Sequence, residues 1–172
     1  MEQGMVKCHQ YWPKARETMN YDHLQVTCHR ENILSAGSNG GIAERQLTLV
    51  NLTNKEERSV TQLQYMAWPD HGVPDDPRSF IEFVQRVRSL RAGTVEPTVV
   101  HCSAGIGRTG VILLVETAMS LIEAKQAVEP IDIVRRLRNQ RAMLVQNASQ
   151  FVFACNAIIR IFDEQIVSPL ER

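Results

Sequence analysis

The sequence predicts an α/β (α+β) domain, a largely antiparallel mixed sheet packed by helices. Three observations point there. In the first half, short β-branched and apolar runs partly alternate with polar residues, and turn-forming clusters separate them. In the second half, apolar residues recur at three- and four-residue spacing over windows of helical length. Late in the chain, Thr98-Val99-Val100 runs into a loop of small residues and then into a strongly helical segment.

Residues 6–12, 24–28, 46–52 and 60–66 are the expected strands, paired as antiparallel neighbours. Residues 35–41, with three Gly and one Asn, form a loop or hairpin turn, and residues 51–58 are polar and turn-like. From Pro77, the positions Phe80, Phe83, Val84, Val87 and Leu90 repeat at helical spacing. Gly93 and Pro97 break the chain before a short strand at residues 98–100. Residues 110–122 are apolar nearly all round, which is the pattern of a buried central helix. Pro130 and Asp132 mark the start of another helix, with Val134 and Leu137 facing inward. Residues 149–162 form the last, with Phe151, Cys155, Ile158, Ile159 and Phe162 as its core face. There is no internal repeat and no low-complexity segment.

A chain of 172 residues fits one domain, taken as residues 1–172. Lys plus Arg and Asp plus Glu are 19 each, so nothing in bulk draws it to nucleic acid or to an anionic membrane. Arg86, Arg88 and Arg91, and then Arg135, Arg136, Arg138 and Arg141, read as solvated helix faces in preference to a docking patch. Cys8, Cys28, Cys102 and Cys155 have no CxxC spacing, so neither a metal centre nor a disulfide scaffold is expected. A thiol without such a framework belongs in the reducing cytosol. No apolar run is long enough to span a bilayer and Met1 opens no signal peptide, so no membrane insertion is expected.

The chemistry concentrates in His101-Cys102-Ser103-Ala104-Gly105-Ile106-Gly107-Arg108-Thr109-Gly110. A thiolate is a strong nucleophile only when its pKa falls below about 8.5, and a helix N-terminus with a nearby cation does that. The same helix start and its successive backbone N–H groups form an anion cradle. Ser103, Ala104, Gly105, Ile106 and Gly107 would line it, and Arg108 adds a planar fork for two phosphate oxygens. The loop lacks the Gly-Lys-Ser/Thr end of a nucleotide-binding loop. A nucleophile on the floor of a phosphate-shaped nest means phosphoryl transfer to sulfur.

That stretch resembles the His-Cys-x5-Arg-Ser/Thr signature of the protein tyrosine phosphatases. Trp68-Pro69-Asp70-His71-Gly72-Val73-Pro74 resembles the family's mobile acid loop, and Lys7-Cys8-His9-Gln10-Tyr11-Trp12-Pro13 its Lys-Cys-x-x-Tyr-Trp-Pro block. Gln140-Arg141-Ala142-Met143-Leu144-Val145-Gln146 with Gln150 resembles its glutamine loop. These blocks stand in the family's order over nearly the whole chain. Residues 61–76, 116–119 and 132–135 are most similar to the non-receptor branch that carries FERM and PDZ domains.

The resemblance implies the cysteine-phosphatase fold and no cofactor. It makes Cys102 the nucleophile, Arg108 the phosphate clamp and Asp70 the general acid, with Trp68 the packed lever that closes its loop and Gly72 and Pro74 the hinges. Thr109 would donate to the sulfur when the thiolate leaves. Gln146 would position the water that hydrolyses the cysteinyl-phosphate, Gln150 would assist, and His101 would hold the loop. On residues alone a merely structural histidine suits position 101 equally. Glu2 matches the glutamate that pairs with the signature arginine, an exposed terminal glutamate being the alternative. Asn147 and Phe151 stand where the family usually has Thr and Tyr.

Members usually carry a further N-terminal segment with a phosphotyrosine-recognition loop, which nothing here matches. The chain is therefore either a truncated product or, the preferred reading, a fragment of a longer, cytoplasmic protein, set at the membrane–cytoskeleton interface by domains upstream. Its implied partners are phosphotyrosine-containing proteins or peptides. Two functions compete: hydrolysis of phosphotyrosine through a cysteinyl-phosphate, and a catalytically impaired phosphotyrosine-binding or regulatory fragment. Intact Cys102, Arg108 and Asp70 favour the enzyme.

Overall fold

A computed structural model describes residues 8–35 and 41–169. They fall into two compact units, one ending at Trp68 and the other beginning at Pro69. Among the described residues the fold is mixed, four antiparallel strands followed by four helices.

The first unit is a meander of β1 (Thr18–Tyr21), β2 (Leu24–Ser35), β3 (Gly41–Asn51) and β4 (Glu57–Tyr65), each paired antiparallel to the next. A two-residue turn joins β1 to β2, with Asp22 at φ +50, a conformation Asp tolerates. Opposite Leu47 and Gln46 on β3, the register of β2 slips by one between Cys28 and Arg30, leaving His29 as the extra residue of a bulge. Central β3 is the most buried strand, with Ile42, Ala43, Glu44, Arg45 and Leu47 out of solvent. A buried guanidinium must be paired to be tolerated. Arg45 is held by Glu31, by Gln62 and Gln64 at 3.0 Å each, and by the Trp12 ring, whose centroid is 4.6 Å away. After β3, Asn51 Oδ1 accepts the Thr53 amide at 2.9 Å and Lys55 closes the turn at φ +64.

The expected strands at 24–28, 46–52 and 60–66 lie largely in β2, β3 and β4, and the polar turn after residue 51 is where it was expected. Of the expected loop at 35–41, residues 36–40 lie outside the described residues. Of the strand expected over 6–12, residues 6 and 7 lie outside the described residues, and residues 8–12 have no regular structure. Buried Pro13, with no N–H to give a ladder, ends that run, and Gln10 Nε2 donates locally to Trp12 O at 2.8 Å. β1 lies outside the expected strands: Met19 and Tyr21 alternate with Thr18 and Asn20, but the run is only four residues long and all of it is exposed.

The second unit comprises α1 (Arg78–Arg91), α2 (Gly107–Glu123), α3 (Pro130–Gln140) and α4 (Ala148–Asp163). Helix α2 is its centre and packs against the other three, burying Val111, Ile112, Leu114, Val115, Ala118 and Met119. From α1, Phe80 meets Phe153 of α4 edge to face at 5.5 Å. Arg88 and Arg91 do not form a solvated face. Arg88 bridges α1 to Glu116 and Glu123 of α2, and Arg91 joins it at Glu116.

Two further expectations change. Residues 98–100 have no regular structure and make no ladder, with Val99 84% exposed. A strand exists only with a partner, and among the described residues of this unit there is no other strand. On α4 the buried face is Gln150, Phe153, Ala154, Ala157, Ile158 and Ile161, so Ile159 and Phe162 point outward. A helix so rich in apolar residues leaves the direction of its core face open to more than one reading.

Candidate active site

Cys102 follows residues 98–100 and begins a loop that turns straight into α2. The helix starts at Gly107, three residues earlier than the apolar pattern suggested, because small and polar residues fill its first turn. The amides of that first turn have no carbonyl within the helix to bond. They and the loop amides before them are available to an anion.

The loop is held so that those amides face the sulfur. Arg141 Nε donates to Gly105 O at 2.8 Å and its Nη2 to Ala104 O at 3.0 Å. Carbonyls pinned outward leave the next N–H groups directed inward. Gly105 sits at φ +70, which a residue with a Cβ adopts only under strain. From below, His101 Nδ1 donates to Cys102 O at 3.0 Å.

Cys102 is half-buried, and burial by itself pushes its thiol up. The Thr109 hydroxyl and the amides of Thr109, Gly105 and Ile106 more than offset this and hold it below the ordinary thiol value. The Thr109 oxygen is buried and short of a close hydrogen-bond partner, so the sulfur is where its proton is of use. Cys155 has no such donors. It is half-buried on α4, not fully buried, and desolvation raises its pKa.

Arg108, on the first turn of α2, donates through Nη2 to Pro69 O at 3.1 Å. That bond ties the residue before Asp70 to the signature loop. Asp70 is exposed, and Gly72 follows at φ +74. Trp68, at the end of the first unit, is buried.

The glutamine loop lies against the start of α2. Where a Cβ on Gly107 would stand, Gln150 Nε2 is 2.9 Å and Gln146 Oε1 3.1 Å away. The approach is tighter at Gly110, whose would-be Cβ falls 2.2 Å from Val145 N. Val145 N donates to Ile106 O at 3.0 Å, and Gln146 N donates to Gln150 Oε1 at 3.0 Å. Asn147 caps α4, accepting the Gln150 amide at 2.9 Å, so Asn in place of the family's usual Thr keeps that role. Val145 is a buried β-branched residue at φ +59, a conformation costing on the order of 1–3 kcal/mol.

The second unit therefore brings together Cys102, Ser103, Ala104, Gly105, Ile106, Gly107, Arg108, Thr109, Gln146 and Gln150, with Asp70 one residue beyond the Arg108 contact. Glu2 lies outside the described residues. Arg138 and Arg141 are exposed, as a solvated face requires, but their guanidinium groups are engaged. Arg141 grips the loop before α2, while Arg138 Nε and Nη2 donate to Leu144 O at 2.9 Å and Val145 O at 2.8 Å. Their three-residue spacing at the very end of a helix, just before the glutamine loop, was the available signal.

A family model described as protein-tyrosine phosphatase matches residues 1–160. The mouse (Mus musculus) and human tyrosine-protein phosphatases non-receptor type 4 are each 54% identical over 170 residues, covering 99% of this chain and 18% of theirs. Tyrosine-protein phosphatase 1 of Caenorhabditis elegans is 50% identical over 169 residues, 98% of this chain and 16% of its own. The chain thus spans less than a fifth of the length of these relatives.

Proposed function

Because the chain belongs to the protein-tyrosine phosphatase family, we propose that it hydrolyses phosphotyrosine in proteins through a cysteinyl-phosphate. The observation that carries this reading is the Cys102 thiol, lowered by donors from Thr109, Gly105 and Ile106 at the start of a helix. A sulfur so placed attacks phosphorus as a thiolate. The P–O bond to the tyrosine breaks, and Asp70 gives its proton to the leaving phenolate oxygen. Arg108 and the amides of Ser103, Ala104, Gly105, Ile106 and Gly107 hold the equatorial oxygens, which carry the transition-state charge.

In the second step a water oxygen bonds to phosphorus and passes its proton to the Asp70 carboxylate. The S–P bond breaks, its electron pair returns to Cys102 Sγ, and the Thr109 hydroxyl stabilises the departing thiolate. Gln146, with its side-chain oxygen beside Gly107, orients the water, and Gln150 supports Gln146 through its amide. Trp68 anchors the segment that carries Asp70, and His101 braces the Cys102 carbonyl. Glu2 would pair with Arg108.

The non-receptor relatives support a cytoplasmic setting, and their length supports further domains upstream that would bring the phosphatase to the membrane–cytoskeleton interface. Among the described residues no helix is long and apolar enough to cross a membrane.

The test is a phosphotyrosine peptide and a paired aryl phosphate with a far more acidic phenol. Cys102→Ser should abolish phosphate release while peptide binding persists. Asp70→Ala should slow the peptide by on the order of 10²–10⁴-fold and the acidic ester much less. Near wild-type release by the serine variant would remove Cys102 from the role, and equal losses for both esters would remove Asp70.

A further inference from the structure

The glutamine that orients water is set by one peptide plane, the plane joining Val145 to Gln146. Its oxygen, Val145 O, accepts from Arg138 Nη2 at 2.8 Å, and its nitrogen, Gln146 N, donates to Gln150 Oε1 at 3.0 Å. Arg138 Nε reaches the preceding carbonyl, Leu144 O, at 2.9 Å, so the guanidinium fork spans two consecutive peptides. Between them Val145 is held at φ +59, where a β-branched residue does not stay unaided. The remaining tie, Val145 N to Ile106 O at 3.0 Å, joins this strained turn to the residue before α2.

We propose that Arg138 is a positioning residue for the second chemical step, hydrolysis of the cysteinyl-phosphate. The proposal rests on the reading of Gln146 above. Arg138 is bonded to neither Cys102 nor Arg108. It locks the left-handed turn at Val145, and so aims Gln146 at the water that attacks phosphorus. In that step the water oxygen bonds to phosphorus, the S–P electron pair returns to Cys102, and the proton goes to Asp70. Formation of the adduct makes no use of Gln146. The two steps should therefore respond unequally to loss of the fork. Arg141, whose fork grips Ala104 O and Gly105 O, serves the nucleophile's own loop and is the internal contrast.

The experiment is rapid acid quench with a phosphotyrosine peptide, following formation and decay of the adduct on Cys102. Arg138→Met keeps the stem and removes the fork. It should slow decay by roughly ten- to a hundredfold, the scale of a misplaced catalytic group, while formation stays within about twofold. Adding Val145→Gly should restore most of the decay rate, because glycine holds φ +59 without a clamp. Arg138→Lys reads the same split should the methionine variant not fold. Equal slowing of both steps, no slowing of either, or no rescue by Val145→Gly would overturn the assignment. Phosphate release from the unaltered chain without any adduct would instead refute the reading of Cys102 itself, and the role of Arg138 would fall with it.

Discussion

Thr109→Val should separate what the Thr109 hydroxyl does for the sulfur from what it does for the fold. The hydroxyl is buried with no close partner, and valine has nearly its shape. Removing a poorly satisfied buried polar group is neutral or stabilising, so the unfolding midpoint should hold or rise. The nucleophile should suffer. A hydrogen bond to a charged acceptor is worth about 1.5–3 kcal/mol, and a half-buried sulfur, partly screened by water, takes the lower end. Losing that bond lowers the thiolate population below the thiol's pKa. The rate of iodoacetamide alkylation of Cys102 against pH measures this directly. In the unaltered chain it should level off below the pH expected of an ordinary thiol, and in Thr109→Val the curve should move upward. Turnover below that pKa should fall alongside. An unmoved alkylation profile would refute the claim that the hydroxyl stabilises the thiolate. A large loss of stability would show that the hydroxyl serves the fold.

Gly110→Ala gains about 1 kcal/mol of helix propensity but places a Cβ 2.2 Å from Val145 N, whose own hydrogen bond to Ile106 resists any shift. Overpacking of about 1–3 kcal/mol should win, with lower stability in urea unfolding and slower turnover as the glutamine loop is displaced. A more stable variant would contradict the close packing of α2 on that loop. Under limiting peroxide, mass spectrometry should find Cys102 oxidised ahead of Cys155, because donors hold one thiol low and desolvation holds the other high. The reverse order would contradict both environments.

Much of this was legible in the sequence because the signals were local. The residues from Cys102 to Gly110 announce a nest and a helix start by composition, and the all-apolar run after them announces the central helix. Patterns that depend on a distant partner were harder to read. Residues 98–100 look like a strand, yet strands form only by pairing. The four exposed residues of β1 are too short a run to read as a strand, yet they complete a hairpin. The polar half of β2 continues through backbone bonds that no side-chain pattern records. Arg88, Arg138 and Arg141 show the same limit for charge. A run of arginines reads as solvated surface until the fold supplies Glu116, Glu123 and the loop carbonyls that hold them. The departure at Asn147 proved conservative for a local reason, since Asn caps a helix as well as Thr does.

The covalent step is tested most directly by trapping it. The chain is mixed with a phosphotyrosine peptide, quenched in acid within milliseconds, digested, and mapped for phosphate by mass spectrometry. Phosphate should be found on Cys102, at higher occupancy when Gln146 is replaced by Ala and not at all in Cys102→Ser. Phosphotyrosine hydrolysis with no adduct, or with the adduct on Ser103, His101 or any other residue, would contradict the mechanism.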